Sequence, residues 1–592
     1  MRMIMSKSKL PPIPNGISSF MDLREGGFAF VDKTAVIEEL ENQQQSHIVF
    51  LRPRRFGKTV LTSMLLSYYD ISQQAHYDRL FAGTYIYNHP TPNRGQFYVL
   101  QLDFSGVECS NASEARASFT DSVKGYLLEF FNRYPMEGQE RITEKDYDSP
   151  VKLLNEFLRF VAPITGKRLY IIIDEYDQFA NNLLVKDREQ FREITSVTGF
   201  LKSFYASIKA GTRFGGAVAR SFITGATSLS LDAITSGFNI QKNISQNEMM
   251  AESIGFSQND LHWLIGETID LPSLNLTEEY IMNKMKLFYN GYRFSCDSEF
   301  SVYNASMCLN YLTSLRVDGR EPGQMLDPNN EADIRKIAGI LDLADKDDVR
   351  QIVDAVLNEG SISLPQGVLS GSINLNSKNK LDLNDILSVL FSLGFLTFAP
   401  SSSIDLCCPN KAILAQFFRY RNEWGNNLHI SFEPSILDGV FSGFAKGDLE
   451  TFMRYFESVL KKSCGLHMLS HMTESVLQLA MRYALLTCVQ YVVRLESEAL
   501  GEGFCDLWMR PVDEKAGLPS YLIELKYLHK NEANDEKVAQ AVEHAEKQLR
   551  RYEAKEPFST QRDLRKYAAV FGGFDLKALK FVDVNFQPIS TI

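Results

Sequence analysis

Strand-length apolar runs and helix-period stretches alternate through the first half of the chain. His47–Leu51, Phe97–Phe104, Leu169–Ile173 and Ser221–Thr224 read as strands, with helical patterns such as Val60–Tyr69 and Pro150–Val161 between them. That alternation predicts parallel βα units. From about Phe256 to Val440 the pattern turns mostly helical, broken by polar stretches at Asp327–Glu331 and Asn374–Asp385, and Ser401–Pro409 reads as a loop. A last unit begins near Phe441, helical through Leu495, then short strands, one long helix and two more strands. The expected division is an α/β domain with a parallel sheet over 1–300, a helical connecting region over 301–440 and a C-terminal α/β domain over 441–592.

Composition narrows the classes. A chain of 592 residues exceeds what one core supports, and 44% hydrophobic with 23% charged residues excludes a largely disordered protein. No apolar run reaches the roughly 18 residues of a membrane span. Met1–Leu10 is basic but meets Pro11, Pro12 and Pro14 instead of an apolar stretch, so no secretory signal is expected. Cys109, Cys296, Cys308, Cys407, Cys408, Cys464, Cys488 and Cys505 read as thiols of a reducing compartment, and the expected location is cytoplasmic with no membrane partner. A net charge of −11 argues against coating nucleic acid by bulk charge but leaves room for a local site. Cys464, His467 and His471 lack an evident fourth ligand and read as helix-surface residues.

Ile48-Val49-Phe50-Leu51 runs into Arg52-Pro53-Arg54-Arg55-Phe56-Gly57-Lys58-Thr59, and a helical pattern follows. Strand, loop, Gly-Lys-Thr and helix form the context of a phosphate-binding loop. Backbone N–H groups at the helix start cradle phosphate oxygens. Lys58 would reach the β- and γ-phosphates and the Thr59 hydroxyl would hold Mg²⁺. Gly57 and Arg55 complete the loop's nucleotide-binding set. Arg52 stands where the usual first glycine would be.

Leu169-Tyr170-Ile171-Ile172-Ile173-Asp174-Glu175 is a buried-strand run ending in two carboxylates. In phosphate-loop ATPases such a strand supplies an Asp to the Mg²⁺ shell and a Glu that orients water, roles for Asp174 and Glu175. Phe97–Phe104 would be the strand separating the two motifs. Thr224, ending a further strand, is a candidate γ-phosphate sensor; Arg213 and Arg220 lie nearby and could stabilise phosphate charge, but each reads first as a solvated arginine.

Near the C-terminus, Gly503–Met509 reads as a strand bearing Asp506, and Tyr521–Tyr527 as a second bearing Glu524 and Lys526 on one face. Charged neighbours on so apolar a strand need a ligand or partners. Asp506, Glu524 and the Leu525 carbonyl would make an oxygen site for Mg²⁺ or Mn²⁺, with Lys526 orienting or deprotonating water. An internal Asp506–Lys526 ion pair is the alternative. Glu474, opening the amphipathic stretch Thr473–Arg494, is a further metal ligand, Glu498 another candidate, and Gln548 a rim residue on a helix that buries Val538, Val542, Ala545, Leu549 and Tyr552.

The loop from Arg52 to Thr59 resembles that of the AAA-ATPase-like family, in which an arginine-bearing loop is normal. Ser236–Ile240, Tyr289–Phe294, Val302–Asn304 and Phe391–Thr397 are similar to later blocks of that family. The module with Asp506 and Glu524-Leu525-Lys526 resembles the PD-(D/E)xK nuclease superfamily member fused behind such ATPases, with Cys505 where its first motif carries proline. The resemblance implies an α/β protein: a phosphate-loop ATPase domain, a helical connection and a restriction-endonuclease-like domain. It implies ATP and Mg²⁺ as cofactors, Mn²⁺ serving at the nuclease site, and nucleic acid as partner, DNA before RNA. A homo-oligomer stays open. The leading expectation is an ATPase–nuclease fusion. A nucleotide-switched binding protein with an inactive nuclease fold, and a nuclease on a degenerate ATPase scaffold, are its rivals.

Overall fold

The computed structural model describes residues 10–582 except 109, 197–198, 230–236, 323–324, 326–338, 340, 372, 374–379, 401, 426–431, 433, 464–471, 486–487, 489, 500–502, 512–516, 554 and 562. Cys464, His467 and His471 therefore lie outside the described residues. Two compact units form: residues 1–352 with 361–410, and residues 353–360 with 411–592. The continuous part of the second unit starts at Lys411 rather than near Phe441, because it takes in the helices Lys411–Gly425 and Pro434–Phe441.

In the first unit, β1 (His47–Leu51), β2 (Tyr98–Asp103), β3 (Leu169–Asp174), β4 (Val218–Gly225) and β5 (Lys242–Asn243) form one sheet in the order β2-β3-β4-β1-β5. All of its pairings are parallel. Every residue of β1 and β3 is buried, as in a sheet covered on both faces. Helix α1 (Lys58–Tyr69) follows β1, α2 (Pro150–Thr165) leads into β3, and α3 (Phe200–Gly211) leads into β4.

The strand between the two motif strands is β4, which registers with β1 at His47–Ser221 and with β3 at Ile171–Ser221. Tyr98–Asp103, expected in that place, instead pairs on the far side of β3. Chain order does not fix sheet order, since a crossover lets a later strand enter between two earlier ones. The largely helical region holds a small antiparallel sheet of Ser361–Ser363, Asp405–Cys407 and Thr397–Phe398. The stretch read as a loop thus carries a strand, too short for periodicity to reveal.

The second unit is built on β6 (Tyr491–Ala499), β7 (Gly503–Pro511), β8 (Ser520–Leu528), β9 (Leu564–Gly572) and β10 (Asp575–Val582), in the order β10-β9-β8-β7-β6. β6, β7 and β8 pair antiparallel in sequence. Helix α5 (Asp535–Glu553) then carries the chain across so that β9 pairs parallel with β8, and β10 returns antiparallel. One face buries Leu507, Met509, Ile523 and Leu525 under Phe452, Phe456 and helix α4 (Glu474–Leu485) with its Leu477 and Met481. The other buries Trp508, Leu522 and Ala568 under Ala545, Leu549 and Tyr552 of α5. Val538 and Val542, expected in that core, are only half-buried; the contribution of α5 to it starts at Ala545.

Candidate functional site

Where β1 ends, Arg52 turns inward instead of toward a ligand. Its guanidinium lies 4.3 Å from the ring centres of both Phe50 and Phe294 and donates to the carbonyls of Leu51 (2.9 Å), Ser245 (2.5 Å) and Met250 (2.8 Å). Burial pulls its pKa down to about 9. The arginine in the glycine position is a clamp on the loop's base. Further along, Arg55 (φ +71°) and Gly57 (φ +99°) adopt left-handed backbone, and a side chain on Gly57 would project into open space rather than protein. Arg54 bonds the Gln178 side chain at 3.2 Å.

Lys58 opens α1 and is 4% exposed. Its Nζ stands 3.3 Å from Glu175 Oε1 and 3.3 Å from the Pro53 carbonyl oxygen. Asp174, fully buried, accepts from Thr62 Oγ1 at 3.3 Å and from the Glu175 backbone N–H at 2.9 Å. Burial pushes the Asp174 carboxyl up to about 6 against the pull of Lys58; Glu175 and Asp103 add to the rise and the Thr59 side chain opposes it. Glu175 is itself left-handed (φ +49°), and its Oε2 is buried without a hydrogen-bond partner. Thr224, next to last in β4 and opposite Phe50 of β1, spends its proton on the Phe50 carbonyl at 2.7 Å. A cavity of about 340 Å³ opens from Lys58, Thr59 and Glu175 toward Ile17, Phe30 and Phe256.

Arg213 and Arg220 do not join this group. Arg213 precedes β4 and Arg220 registers with Tyr170 near the start of β3, at the sheet end opposite the phosphate loop. A strand carries its two ends apart, so nearness in sequence to Thr224 does not bring them to the phosphate loop.

Asp177 carries no signal that periodicity or motif could reveal. It is fully buried and accepts from the backbone N–H groups of Ala226 (3.1 Å) and Thr227 (2.7 Å), the Thr227 hydroxyl (2.8 Å) and Asn181 Nδ2 (2.7 Å). These bonds stitch the exit of β3 to the exit of β4, which holds Glu175 and Thr224 at one end of the sheet.

In the second unit β7 and β8 register at Leu507–Ile523, Trp508–Leu522 and Met509–Tyr521. Beyond that the Leu525 N–H donates to Asp506 Oδ2 at 2.6 Å instead of to a strand. Asp506 Oδ1 accepts from Gln478 Nε2 at 2.8 Å, and Gln478 sits one helical turn after Glu474 on α4. Lys526 Nζ lies 3.0 Å from Glu524 Oε1, 2.9 Å from the Leu525 carbonyl oxygen, 3.7 Å from Asp506 Oδ2 and 3.6 Å from Glu474 Oε1. The ammonium thus stands among four oxygens contributed by β7, β8 and α4.

Burial and the neighbouring Asp506 push the Glu524 carboxyl up to about 8, against Lys526. Burial alone would lower the Lys526 pKa, but Glu524, Asp506 and Glu474 outweigh it and raise it. Glu524 Oε2 is buried with no hydrogen-bond partner. Gln548 on α5 bonds the Tyr552 hydroxyl at 3.2 Å, and its own Oε1 is buried and unpartnered. Glu498 lies on β6 opposite Phe504, with its side chain outside the described residues.

An all-oxygen donor set with an orphaned carboxylate oxygen suits a hard divalent cation, so the residues fit such an ion. Among the described residues, no three His, Cys, Asp or Glu side chains already converge on a common point. The oxygens converge on Lys526 instead.

Comparison with known families agrees with this architecture. Residues 14–235 match the model of a predicted AAA-ATPase family, and residues 472–579 match that of the PD-(D/E)XK nuclease superfamily. The chain carries an AAA-ATPase-like region followed by a C-terminal PD-(D/E)XK nuclease superfamily domain. It is also similar to an uncharacterized protein of the vnfD 5′ region of Azotobacter chroococcum mcd 1, with 26% identity over 304 residues, 51% of each chain. The chain thus spans about half the length of that relative.

Proposed function

We propose that the protein binds and hydrolyses ATP and that its C-terminal domain is a Mg²⁺-dependent nuclease, also served by Mn²⁺, that cleaves phosphodiester bonds of nucleic acid, DNA before RNA. The observation that carries the reading is Glu524, whose Oε2 is buried without a hydrogen-bond partner beside the carboxylate of Asp506. Asp506, Glu524 and the Leu525 carbonyl, with Glu474 beside them, are the residues that would hold the cation. Bound there, it would supply positive charge to the scissile phosphate. Lys526 orients or deprotonates the attacking water.

At the other site Gly57, Lys58, Thr59 and Arg55 would hold the nucleotide phosphates, Thr59 and Asp174 would hold Mg²⁺ and Glu175 would orient water; Thr224 would sense the terminal phosphate only by releasing the Phe50 carbonyl to which its hydroxyl donates. Among the described residues no helix is long and apolar enough to cross a membrane. We read the cytoplasm as the location.

The test is incubation of purified protein with plasmid and single-stranded substrates, with Mg²⁺ or Mn²⁺, and with and without ATP. Metal-dependent cleavage that responds to ATP supports the fusion reading. Nucleic-acid binding without cleavage supports a second reading, a nucleotide-switched binding protein with an inactive nuclease fold. One observation favours that rival: Lys526 already occupies the space between the carboxylates.

A further inference from the structure

Cationic side chains gather at the end of the first sheet remote from Lys58. Segments 161–173 and 203–221, which border that end, hold five Lys or Arg and no Asp or Glu, in a chain whose acids outnumber its bases 73 to 62. Strand pairing brings their turns together. The Leu169 N–H donates to the Ala217 carbonyl at 2.9 Å and Leu169 registers with Val218. The turn with Lys167 and Arg168, before β3, is therefore neighbour to the turn with Arg213 and Phe214, before β4. Arg220 lies just inside β4. Lys167 and Arg220 are both near enough to His47, at the start of β1, to disfavour its protonation.

Lys167, Arg168, Arg213 and Phe214 are exposed, and Arg220 is half-buried. Phe214 is the most open large apolar residue described, with a relative exposure of 108%, on a turn made by Gly215 at φ +76°. A fully solvated phenyl ring is costly and contributes nothing to the core. Arg168 rests over the Tyr98 ring and Arg220 over Phe97, which steadies both guanidiniums on aromatic stems. Among the described residues, none of Lys167, Arg168, Arg213 and Arg220 pairs with a carboxylate.

We propose that this surface docks a single-stranded stretch of nucleic acid, with Lys167, Arg168, Arg213 and Arg220 meeting backbone phosphates and Phe214 stacking on an unpaired base. Charge complementarity selects a polyanion. The free ring selects an unstacked base, because in a duplex the base faces are covered. The surface lies at the opposite end of the sheet from the nucleotide-binding residues, so strand and nucleotide do not compete. This inference rests on the nucleic-acid reading given above.

The test uses the full chain in EDTA, so that cleavage is silent, and fluorescence anisotropy with a labelled single strand of about 20 nucleotides and the matching duplex. The parent should bind the single strand more tightly than the duplex. Phe214→Ala should weaken single-strand binding about tenfold and leave duplex binding nearly unchanged. The double variant Lys167→Ala/Arg213→Ala should lower the slope of log affinity against log salt by about 1.4. Melting curves should match the parent's, since the side chains are exposed. If the parent binds neither nucleic acid, the nucleic-acid reading itself falls. If the parent binds and all variants bind equally well, this surface alone is overturned. Variants that lose binding to phosphatidylserine vesicles while keeping nucleic acid would also overturn it, making the patch a membrane contact.

Discussion

Lys58 Nζ and Glu175 Oε1 lie 3.3 Å apart, each side chain largely closed to solvent. The two groups belong to different motifs, one opening the helix after β1 and the other opening the turn after β3. Each therefore depends on the other for its charge balance before any phosphate arrives. Lys58→Ala should abolish ATP binding, measured by calorimetry, because the phosphates lose their one flexible point charge. Glu175→Gln should keep binding and slow hydrolysis by about 10² to 10⁴-fold. A Lys58→Ala protein that binds ATP as the parent does would refute the phosphate-loop assignment.

At the nuclease site, Asp506→Ala and Glu524→Ala should each remove metal-dependent cleavage. Asp506→Ala should in addition cost about 1–3 kcal/mol, since it strands the Gln478 amide and the Leu525 N–H. Lys526→Ala should abolish cleavage yet bind Mn²⁺ more tightly than the parent, because the ammonium no longer occupies the oxygens' common space. Calorimetric titration of Mn²⁺ into the parent and the three variants tests this. No metal binding by the parent, with melting losses confined to the Asp506 and Lys526 variants, would mean a plain ion pair.

The Glu524 carboxyl titrates near 8 in the folded chain against an ordinary value of 4.5. Between those values the folded state holds a proton the unfolded state has lost. Its stabilising contribution is therefore complete below about pH 4.5 and vanishes as pH rises through 8. Metal-free protein should melt progressively lower over that window, and Glu524→Gln should flatten the profile. Equal slopes in parent and variant would contradict the assignment.

His47 predicts the opposite slope. Burial first, then Lys167 and Arg220, pull its pKa from 6.5 down to about 4, while its Nδ1 sits 3.0 Å from Ser221 Oγ. The unfolded chain takes up a proton that the folded chain refuses, so this contribution is present above pH 6.5 and is lost as pH falls through about 4. The melting difference between parent and His47→Gln should shrink over that interval. A difference independent of pH would show that the imidazole does not titrate there.

Gly225 closes β4 where the two exit loops meet. A Cβ there would stand 2.3 Å from Asp177 Oδ1 and 2.5 Å from the Tyr176 ring. Gly225→Ala should cost about 1–3 kcal/mol by overpacking and slow ATP hydrolysis more than it weakens ATP binding. Unchanged kcat with a lowered Tm would reduce the Asp177 network to scaffolding.

The two phosphate-site strands were legible because a sheet covered on both faces writes unbroken apolar runs, and His47–Leu51 and Leu169–Asp174 are such runs. Glu524 and Lys526 stand out for the converse reason, as charges on a strand that is otherwise apolar and buries Tyr521, Leu522, Ile523 and Leu525. Insertion of Val218–Gly225 between the motif strands left no mark, since topology is not encoded in any local period. Gln478 was missed because an amide on an amphipathic helix looks like any other; its only trace is the four-residue step from Glu474. Arg52 was recognised as a departure, but its place between two rings depends on Phe294, far away in the chain.

Residues 353–360 belong to the second unit although the chain then returns to the first for residues 361–410. In the second unit this short segment buries Val353, Val356 and Leu357, and the Leu357 carbonyl accepts from Arg482 on α4. The polypeptide therefore crosses between the units three times. A protease that severs the chain at 410 would leave the N-terminal piece still holding an integral part of the other unit, so the two pieces should co-elute rather than separate. Conversely, a recombinant fragment beginning at 411 starts life with an unfilled slot, which a synthetic peptide of residues 353–360 would be expected to occupy.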